Sequence, residues 1–295
     1  MSEKIKVGKN FELEIPKVYD ILKTNAEKEI EKILEKYPKS LKMWNILKKD
    51  PEVNACWDIA NYIAVAKLHY NDHGDVHAKI VAANALKMLK ILLEHNVLPD
   101  VMSEKAGDED DAYLVVLTGA LLHDIGNQVH REHHNLHGVY LAIPLLNRLL
   151  PQIYGNSEKM YEIRGHILHT IYAHEADVKD LTKEAALVGI ADGTDMTKGR
   201  GRVAFDSGNV NIHTVSALSI EHVRIMEGVD KPVRILIEMN NSAGVFQVQE
   251  TLAKKIAGSP LEPYIEIIAQ TEPEGASDSR IIHRIVIRQE RFEAL

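Results

Sequence analysis

The dipeptide His123-Asp124 most constrains what this chain can fold into, because it ends an apolar run and is followed by Ile125-Gly126. A carboxylate in apolar surroundings is costly unless it is paired or binds a metal. Adjacent residues of a helix project about 100° apart, so both side chains reach one ion only at a helix end or a distortion. Gly126 supplies such an end. The dipeptide therefore predicts two ligands of one metal ion, at the point where an apolar helix stops.

The histidines of the chain are concentrated in one segment. Twelve of the 15 lie between His69 and His174. Three patches in or just after this segment carry further ligand chemistry, and they are residues 69–77, residues 130–138, and a stretch with His166, His169, His174, Asp192 and Asp195. A mixture of imidazoles and carboxylates is typical of a site for a divalent transition metal or Mg²⁺. It is not typical of a closed zinc site, whose ligands are thiolates. The composition therefore points to a metal.

The overall composition is that of an ordinary globular protein, with 45% apolar and 26% charged residues. The formal net charge of −8 argues against a nucleic-acid scaffold. It leaves a small anionic substrate open, because a bound cation reverses the local sign. There is no apolar run long enough to span a bilayer, no signal peptide at the start, and a single cysteine, Cys56. We therefore expect a cytoplasmic protein without a membrane partner.

Helical periodicity dominates the chain up to about residue 226, after one strand around residues 11–15. The predicted helices are Lys17–Lys49 with a break at Pro38, Ile59–Leu68, Val76–His95, Ala112–His123, Leu136–Leu150, Glu158–Ala173, Lys179–Asp192 and His213–Met226. The acidic stretch Met102–Asp111 is predicted to be a solvated loop between two of these helices.

Beyond Gly228 the pattern changes to strand Pro232–Met239, helix Ser242–Ile256, and strands Tyr264–Gln270 and Ile281–Ile287. The predicted fold class is mainly α, a helical bundle followed by a small C-terminal α+β module of order β-α-β-β. We place the boundaries at residues 1–58 for an N-terminal arm with helices, 59–228 for the metal-binding domain and 229–295 for the module. Dimerisation or ligand sensing is the expected use of the module, which makes a homo-oligomer the expected assembly.

The pattern His77…His123-Asp124…Asp192 resembles the signature of the HD superfamily of metal-dependent phosphohydrolases, whose ligands lie on a helical bundle. The similarity extends over about residues 60–225. It implies an HD-type bundle with one divalent ion, Mn, Fe, Ni, Zn or Mg, held by these four residues. Some branches hold a second ion with the aspartate as a bridge. For this second ion the resemblance implies His134 and His174, with His130 competing for the first position and His166 or His169 for the second.

The resemblance also implies a reaction, the hydrolysis of a phosphate ester such as a nucleotide by a hydroxide formed on the metal. Asp124 would then be catalytic as well as a ligand, and His73 and His130 are the candidates to protonate the leaving group. The predicted phosphate-binding residues are Arg131, Lys198, Arg200 and Arg202. Asp195 is expected to orient a ligand.

Two departures from the family pattern are visible. Asn127 stands where many members have a lysine, and the Gly-Tyr-Pro motif of cyclic-dinucleotide phosphodiesterases is absent. Two alternative functions stay open at this point. One is a metal-containing regulatory protein that senses a nucleotide or another phosphorylated ligand, and the other is a di-iron oxygenase built on the same scaffold.

Overall fold

The computed structural model describes residues 2–6, 12–16, 18–197, 216, 218–271, 284–288 and 291–294. A helical body is followed by a small α+β module, which confirms the predicted fold class. The helices of the body are α1 (Val18–Leu34), α2 (Pro38–Leu47), α3 (Pro51–Asn61), α4 (Asp75–Glu94), α5 (Asp100–Ser103), α6 (Glu109–Leu122), α7 (His134–Leu149), α8 (Pro151–Tyr154), α9 (Glu158–Ala173) and α10 (Lys183–Thr194). A π turn (Tyr62–Lys67) extends α3, and a 3-10 turn (Ile125–Gln128) follows α6.

Helix α6 lies at the centre of the body. Every residue from Asp110 to Leu122 is buried, and the helix packs against α2, α4, α9 and α10. A helix that is apolar on nearly all sides is stable only when other elements surround it. A capping box formed by Asp108 and Asp111 starts the helix, and His123 follows its last residue. The core therefore places the His-Asp dipeptide at its own edge.

The acidic stretch Met102–Asp111 is the predicted solvated loop only in part. Residues 104–108 form a largely exposed turn, whereas Glu109, Asp110 and Asp111 begin α6. Asp110 and Asp111 are only 8% and 2% exposed. Asp110 accepts a hydrogen bond of 2.9 Å from the backbone N–H of Ser40, and Asp111 accepts bonds from Lys39 and, at 2.7 Å, from the Tyr154 hydroxyl. The prediction was wrong for Asp110 and Asp111 because it took a high density of charge as a sign of exposure, whereas these two carboxylates are buried with partners on other helices.

We expect Asp111→Asn to lower the free energy of unfolding by about 2 kcal/mol at neutral pH. Burial raises the pKa of Asp111, but hydrogen bonds from Lys39 and Tyr154 outweigh it and lower the pKa to about 2, from an ordinary value of 3.8. A carboxylate whose pKa is lower in the folded state stabilises the fold above its unfolded pKa, and this contribution is lost as the pH falls through the folded value. Chemical denaturation from pH 7 to pH 2 therefore checks the prediction: the difference between wild type and variant should shrink below about pH 4. A difference that is independent of pH would contradict it.

The strands form two sheets. Strands β1 (Ser2–Lys6) and β2 (Glu12–Pro16) make an antiparallel hairpin, of which the sequence analysis predicted only the second strand. The sheet of the module has the order β3-β4-β5-β6-β7, with β3 (Ile220–Glu227), β4 (Val233–Met239), β5 (Ile265–Thr271), β6 (Arg284–Arg288) and β7 (Arg291–Ala294). Only β4 and β5 are parallel. A helix of residues 244–256, with a π turn at its centre, connects them, and we call it the module helix.

The predicted helix His213–Met226 is wrong from Ile220 onward, because Ile220–Glu227 is a strand. This strand pairs with β4, and a register shift lies between Ile220 and His222. Pairing with β4 determines the conformation of this segment. Local periodicity carries no information about such pairing, so the sequence pattern could not predict it. The sheet thus begins before residue 228, where the sequence analysis drew the boundary of the module.

The module packs directly on the helical body. Helix α4 contacts β3 and β4, and α10 contacts the module helix. At this second contact a Cβ atom on Gly193 would lie 2.9 Å from the carbonyl oxygen of Thr251, so the two helices approach at the distance that glycine permits. Among the described residues, none of the helices combines the length and the apolar character that a membrane span requires.

Candidate metal centre

Six side chains named by the sequence analysis meet where the helices of the body end. They come from the first turn of α4, the end of α6, the start of α7, the end of α9 and the last turn of α10, and they are His77, His123, Asp124, His134, His174 and Asp192. All four imidazoles and Asp124 are buried, whereas Asp192 is partly exposed. The structure thus collects ligands from five elements around one point.

The four imidazoles are all anchored through Nδ1. His123 bonds the carbonyl oxygen of Ala120 at 2.7 Å, and His174 bonds that of Ile171 at 2.7 Å. His134 bonds the carbonyl oxygen of Arg131 at 3.0 Å. His77 bonds Asp195 Oδ2 at 2.7 Å, which matches the orienting role predicted for Asp195. Because a carbonyl or carboxylate oxygen can only accept, each neutral ring carries its proton on Nδ1 and directs the lone pair of Nε2 inward.

Around His77 the donor atoms are spaced as ligands of one ion. His77 Nε2 lies 3.2 Å from His123 Nε2, 3.4 Å from Asp124 Oδ2 and 3.1 Å from Asp192 Oδ1. Ligands at about 2.1 Å from an ion are about 3.0 Å apart at right angles and about 3.4 Å apart in a tetrahedron. The donor set therefore fits a divalent ion, and the two facing Nε2 lone pairs would repel each other without a cation or proton between them.

A second set surrounds the other oxygen of Asp124. His134 Nε2 lies 3.0 Å from His174 Nε2, 3.3 Å from Asp124 Oδ1 and 2.9 Å from Glu175 Oε1. These spacings again fit the ligands of one ion. Asp124 thus turns Oδ2 toward one set and Oδ1 toward the other.

The electrostatics of the site match a centre built for cations. Burial raises the pKa of Asp124, but the neighbouring histidines outweigh it and hold the pKa well below its usual range. Burial likewise raises the pKa of Asp192, which Lys255 and His77 bring well below the usual range. In the second set, burial lowers the pKa of His134, but Asp124 and Glu175 raise it to about 9. Burial and the neighbouring imidazoles lower the pKa of His174 to about 3. Without an ion, His134 therefore favours a second proton, on Nε2, and His174 favours the neutral ring.

Asn127, the departure from the family pattern, has a definite place. Its side-chain amide donates to Asp124 Oδ1 at 2.7 Å and to the Asp124 carbonyl oxygen at 3.0 Å. A neutral donor therefore orients the shared carboxylate without adding positive charge. At the other end of the site, Asp72 accepts bonds from the backbone N–H groups of Gly74 and His77 and so fixes the start of α4.

Gly126 permits a close contact that holds this site together. A Cβ atom here would lie 1.8 Å from the carbonyl oxygen of His134 and 2.5 Å from the backbone nitrogen of Gly138. Both are backbone atoms at the start of α7, so a side chain could be admitted only by moving the helix that carries His134. This explains why glycine follows the His-Asp-Ile sequence.

We expect Gly126→Ala to lower the free energy of unfolding by about 2 kcal/mol or more, because the core must be pushed apart. Chemical denaturation in the presence of a chelator measures this effect without a contribution from bound metal. Gly165→Ala on α9 is the matched control, since a Cβ atom added there would have no heavy atom within 4 Å. The control should be neutral or stabilising by up to about 1 kcal/mol. Equal effects of the two substitutions would contradict the packing argument.

A cavity of about 260 Å³ opens beside the donor atoms. His73, Asp124, Arg131 and Asp192 line it, together with side chains of the module helix. Arg131 lies 3.3 Å from Glu175 Oε1 and 3.8 Å from Asp124 Oδ1, so its guanidinium reaches the second set. His73 donates through Nδ1 to the Asn71 carbonyl oxygen at 2.6 Å, which fixes the orientation of its ring beside the cavity.

Other predicted site residues lie elsewhere. His130 is exposed and its Nδ1 accepts from the backbone N–H of Glu132, so it takes no part in the cluster. His169 accepts from the backbone N–H of Leu181, and His166 is also outside the cluster, so His174 alone of the three candidates on this stretch reaches it. Lys198, Arg200 and Arg202 lie outside the described residues.

Sequence reasoning missed two residues of the site. Glu175 joins the second set, and its position directly after His174 was a signal that went unused. Lys255 of the module helix binds Asp192, and nothing in the local sequence connects residues so far apart along the chain.

The chain belongs to the HD superfamily of metal-dependent phosphohydrolases. The HD domain family matches residues 76–197, which include the four residues of the His…His-Asp…Asp pattern. An uncharacterized protein of Methanocaldococcus jannaschii is 44% identical over 232 residues, which cover 79% of this chain and 89% of the relative. No solved structure matches the chain.

Proposed function

We propose that the protein hydrolyses a phosphate ester, a nucleotide or a similar small phosphate, with the help of two divalent ions. The observation that supports this most directly is the orientation of Asp124 between the two donor sets. Two ions that share one carboxylate stabilise both the attacking and the leaving oxygen of a displacement at phosphorus. The cavity of about 260 Å³ beside them suits a small substrate.

His77, His123 and Asp192 would hold the first ion, and Asp124 would contribute one oxygen to each set. The second ion is assigned to His134, His174 and Glu175. Imidazole and carboxylate ligands accept Mn, Fe, Ni, Zn or Mg, and availability decides among them as much as ligand type. When bound, such ions neutralise phosphoryl charge and lower the pKa of water toward about 7.

The surrounding residues provide the remaining functions. Arg131 presents its guanidinium to the cavity, where a planar fork suits two phosphate oxygens. Binding a phosphate there would exchange its ion pair with Glu175 for one with the substrate. We assign the role of general acid for the leaving oxygen to His73 through Nε2, and the bond from Nδ1 to the Asn71 carbonyl fixes the ring for this transfer.

Turnover assays on metal-free protein reloaded with each divalent ion test the proposal. The substrates are nucleoside mono-, di- and triphosphates and model phosphodiesters, with release of phosphate or nucleotide as the readout. We expect hydrolysis of at least one substrate class that depends on added metal and is abolished by a chelator. Tight nucleotide binding without turnover with any ion would instead favour the sensing function. Activity that needs iron and dioxygen would favour the oxygenase.

A further inference from the structure

Lys255 carries a side chain of the α+β module into the metal centre. Its ammonium group lies 2.5 Å from Asp192 Oδ2 and donates a second bond of 2.9 Å to the carbonyl oxygen of His174. The lysine side chain is only 9% exposed. Lys255 thus contacts the end of α10, which supplies Asp192 to the first set, and the end of α9, which supplies His174 to the second set.

The contact with Asp192 leaves the ligand position intact. Lys255 binds Oδ2, whereas Oδ1 is the atom that lies 3.1 Å from His77 Nε2. An aspartate with one oxygen held by an ammonium group can turn only the other oxygen toward the imidazoles. The pairing therefore selects one orientation of the carboxylate and one ligand atom.

The rest of the junction holds the lysine in place. Gly193, next to Asp192, has no Cβ atom, and this allows the backbone of the module helix at Thr251 to pack directly against α10. Gln247, Glu250 and Thr251 of the same helix line the cavity beside the donor atoms. The module helix is therefore one wall of the site.

We propose that Lys255 is a positioning residue through which the α+β module completes the metal centre, by locking Asp192 with a single oxygen toward the ion. This inference rests on the metal centre of the proposed function. It gives the module a role inside the catalytic unit, in addition to the dimerisation or sensing expected from the sequence. Because coupling between two parts of a protein is reciprocal, an ion bound in the body must also stabilise the module helix.

Titration of metal-free protein with Mn²⁺ tests the inference. We expect Lys255→Met to raise the Kd for the tighter ion by about 10- to 100-fold, the usual effect of removing a group that orients a ligand. Lys255→Arg keeps the positive charge and should recover most of the affinity. Lys254→Met is the matched control, because its side chain is half exposed and neither it nor its partner Glu250 belongs to a donor set. The control should change the Kd by less than about twofold.

A spectroscopic measurement and hydrogen exchange separate positioning from a loss of fold. The visible spectrum of the Co²⁺-loaded protein should change in Lys255→Met and stay unchanged in Lys254→Met. Adding Mn²⁺ to the wild type should slow amide exchange in residues 248–257, and this protection should vanish in Lys255→Met. Mn²⁺ affinity and protection equal to those of the wild type in Lys255→Met would overturn the inference alone. A wild type that binds no divalent ion would overturn the proposed function and this inference with it.

Discussion

Asp124→Asn is expected to lower the ion content from about two per chain to one or none, and to lower phosphohydrolase activity about a thousandfold or more. The substitution keeps the size of the side chain but leaves one oxygen where the site uses two. Asp124 Oδ2 lies 3.3 Å from His123 Nε2 and Oδ1 lies 3.3 Å from His134 Nε2, so one set must face an NH₂ group. An amide hydrogen cannot coordinate a cation. Elemental analysis of protein prepared without chelator, together with the turnover assay, measures both effects.

Asp50→Asn serves as the control for this variant, because Asp50 is another buried carboxylate with a structural task. It accepts from two backbone N–H groups at the start of α3 and pairs with Arg148. We expect this control to lose about 1 kcal/mol or more of stability while it keeps its metal and its activity. Full metal content and full activity in Asp124→Asn would refute the bridging assignment.

His174→Ala should remove one ion and spare the other. His174 Nε2 belongs to the second set, where it lies 3.0 Å from His134 Nε2. His174 packs against the ring of His123, but His77, His123 and Asp192 all keep their own donor atoms when His174 is lost. Elemental analysis should therefore find about one ion per chain in place of about two, with activity lower by about a hundredfold because one of the two charges that stabilise the transition state is missing.

His169→Ala is the matched control for this experiment. It removes an imidazole from the same helix, and the competing assignment from the sequence pattern predicted that this ring was a ligand. In the structure His169 instead accepts from the backbone N–H of Leu181. The control should keep both ions and nearly full activity. A loss of metal in His169→Ala, with metal retained in His174→Ala, would reverse the assignment.

The fold was predictable from the sequence where a helix carries its own signals. The predicted bounds of Glu158–Ala173 agree with α9, whose start is marked by Ser157, a side chain that accepts from the backbone N–H of Met160. The strand Ile220–Glu227 was not predictable in the same way. Its apolar residues Ile220, Val223 and Met226 recur every third position, which fits one face of a helix, and the register shift near its start disturbs the alternation of a strand. Only the neighbouring β4 decided between the two.

The candidate site also contains residues that the sequence predicts and residues that it does not. His123 and Asp124 could be predicted from the sequence, because an imidazole and a carboxylate rarely stand side by side at the end of an apolar helix unless they bind something. The resemblance to a known pattern supplied their predicted partners. Lys255 could not be found, since its contact with Asp192 depends on how the module docks against α10. A lysine on a helix that also carries the exposed Lys254 looks like any solvated residue until that docking is known.

The anchors of the imidazoles determine how the site tolerates mutation. His123, His134 and His174 each bond the carbonyl oxygen of the residue three positions earlier, at Ala120, Arg131 and Ile171. Every amino acid supplies a carbonyl, so a substitution at any of these three positions keeps the Nδ1 anchor of its ring, even where, as at Arg131, the side chain has another role. His77 differs, because its anchor is the side chain of Asp195. A single substitution of Asp195 would therefore remove the Nδ1 anchor of His77. The Nδ1 anchors of the other three rings are backbone carbonyls, which a substitution does not remove.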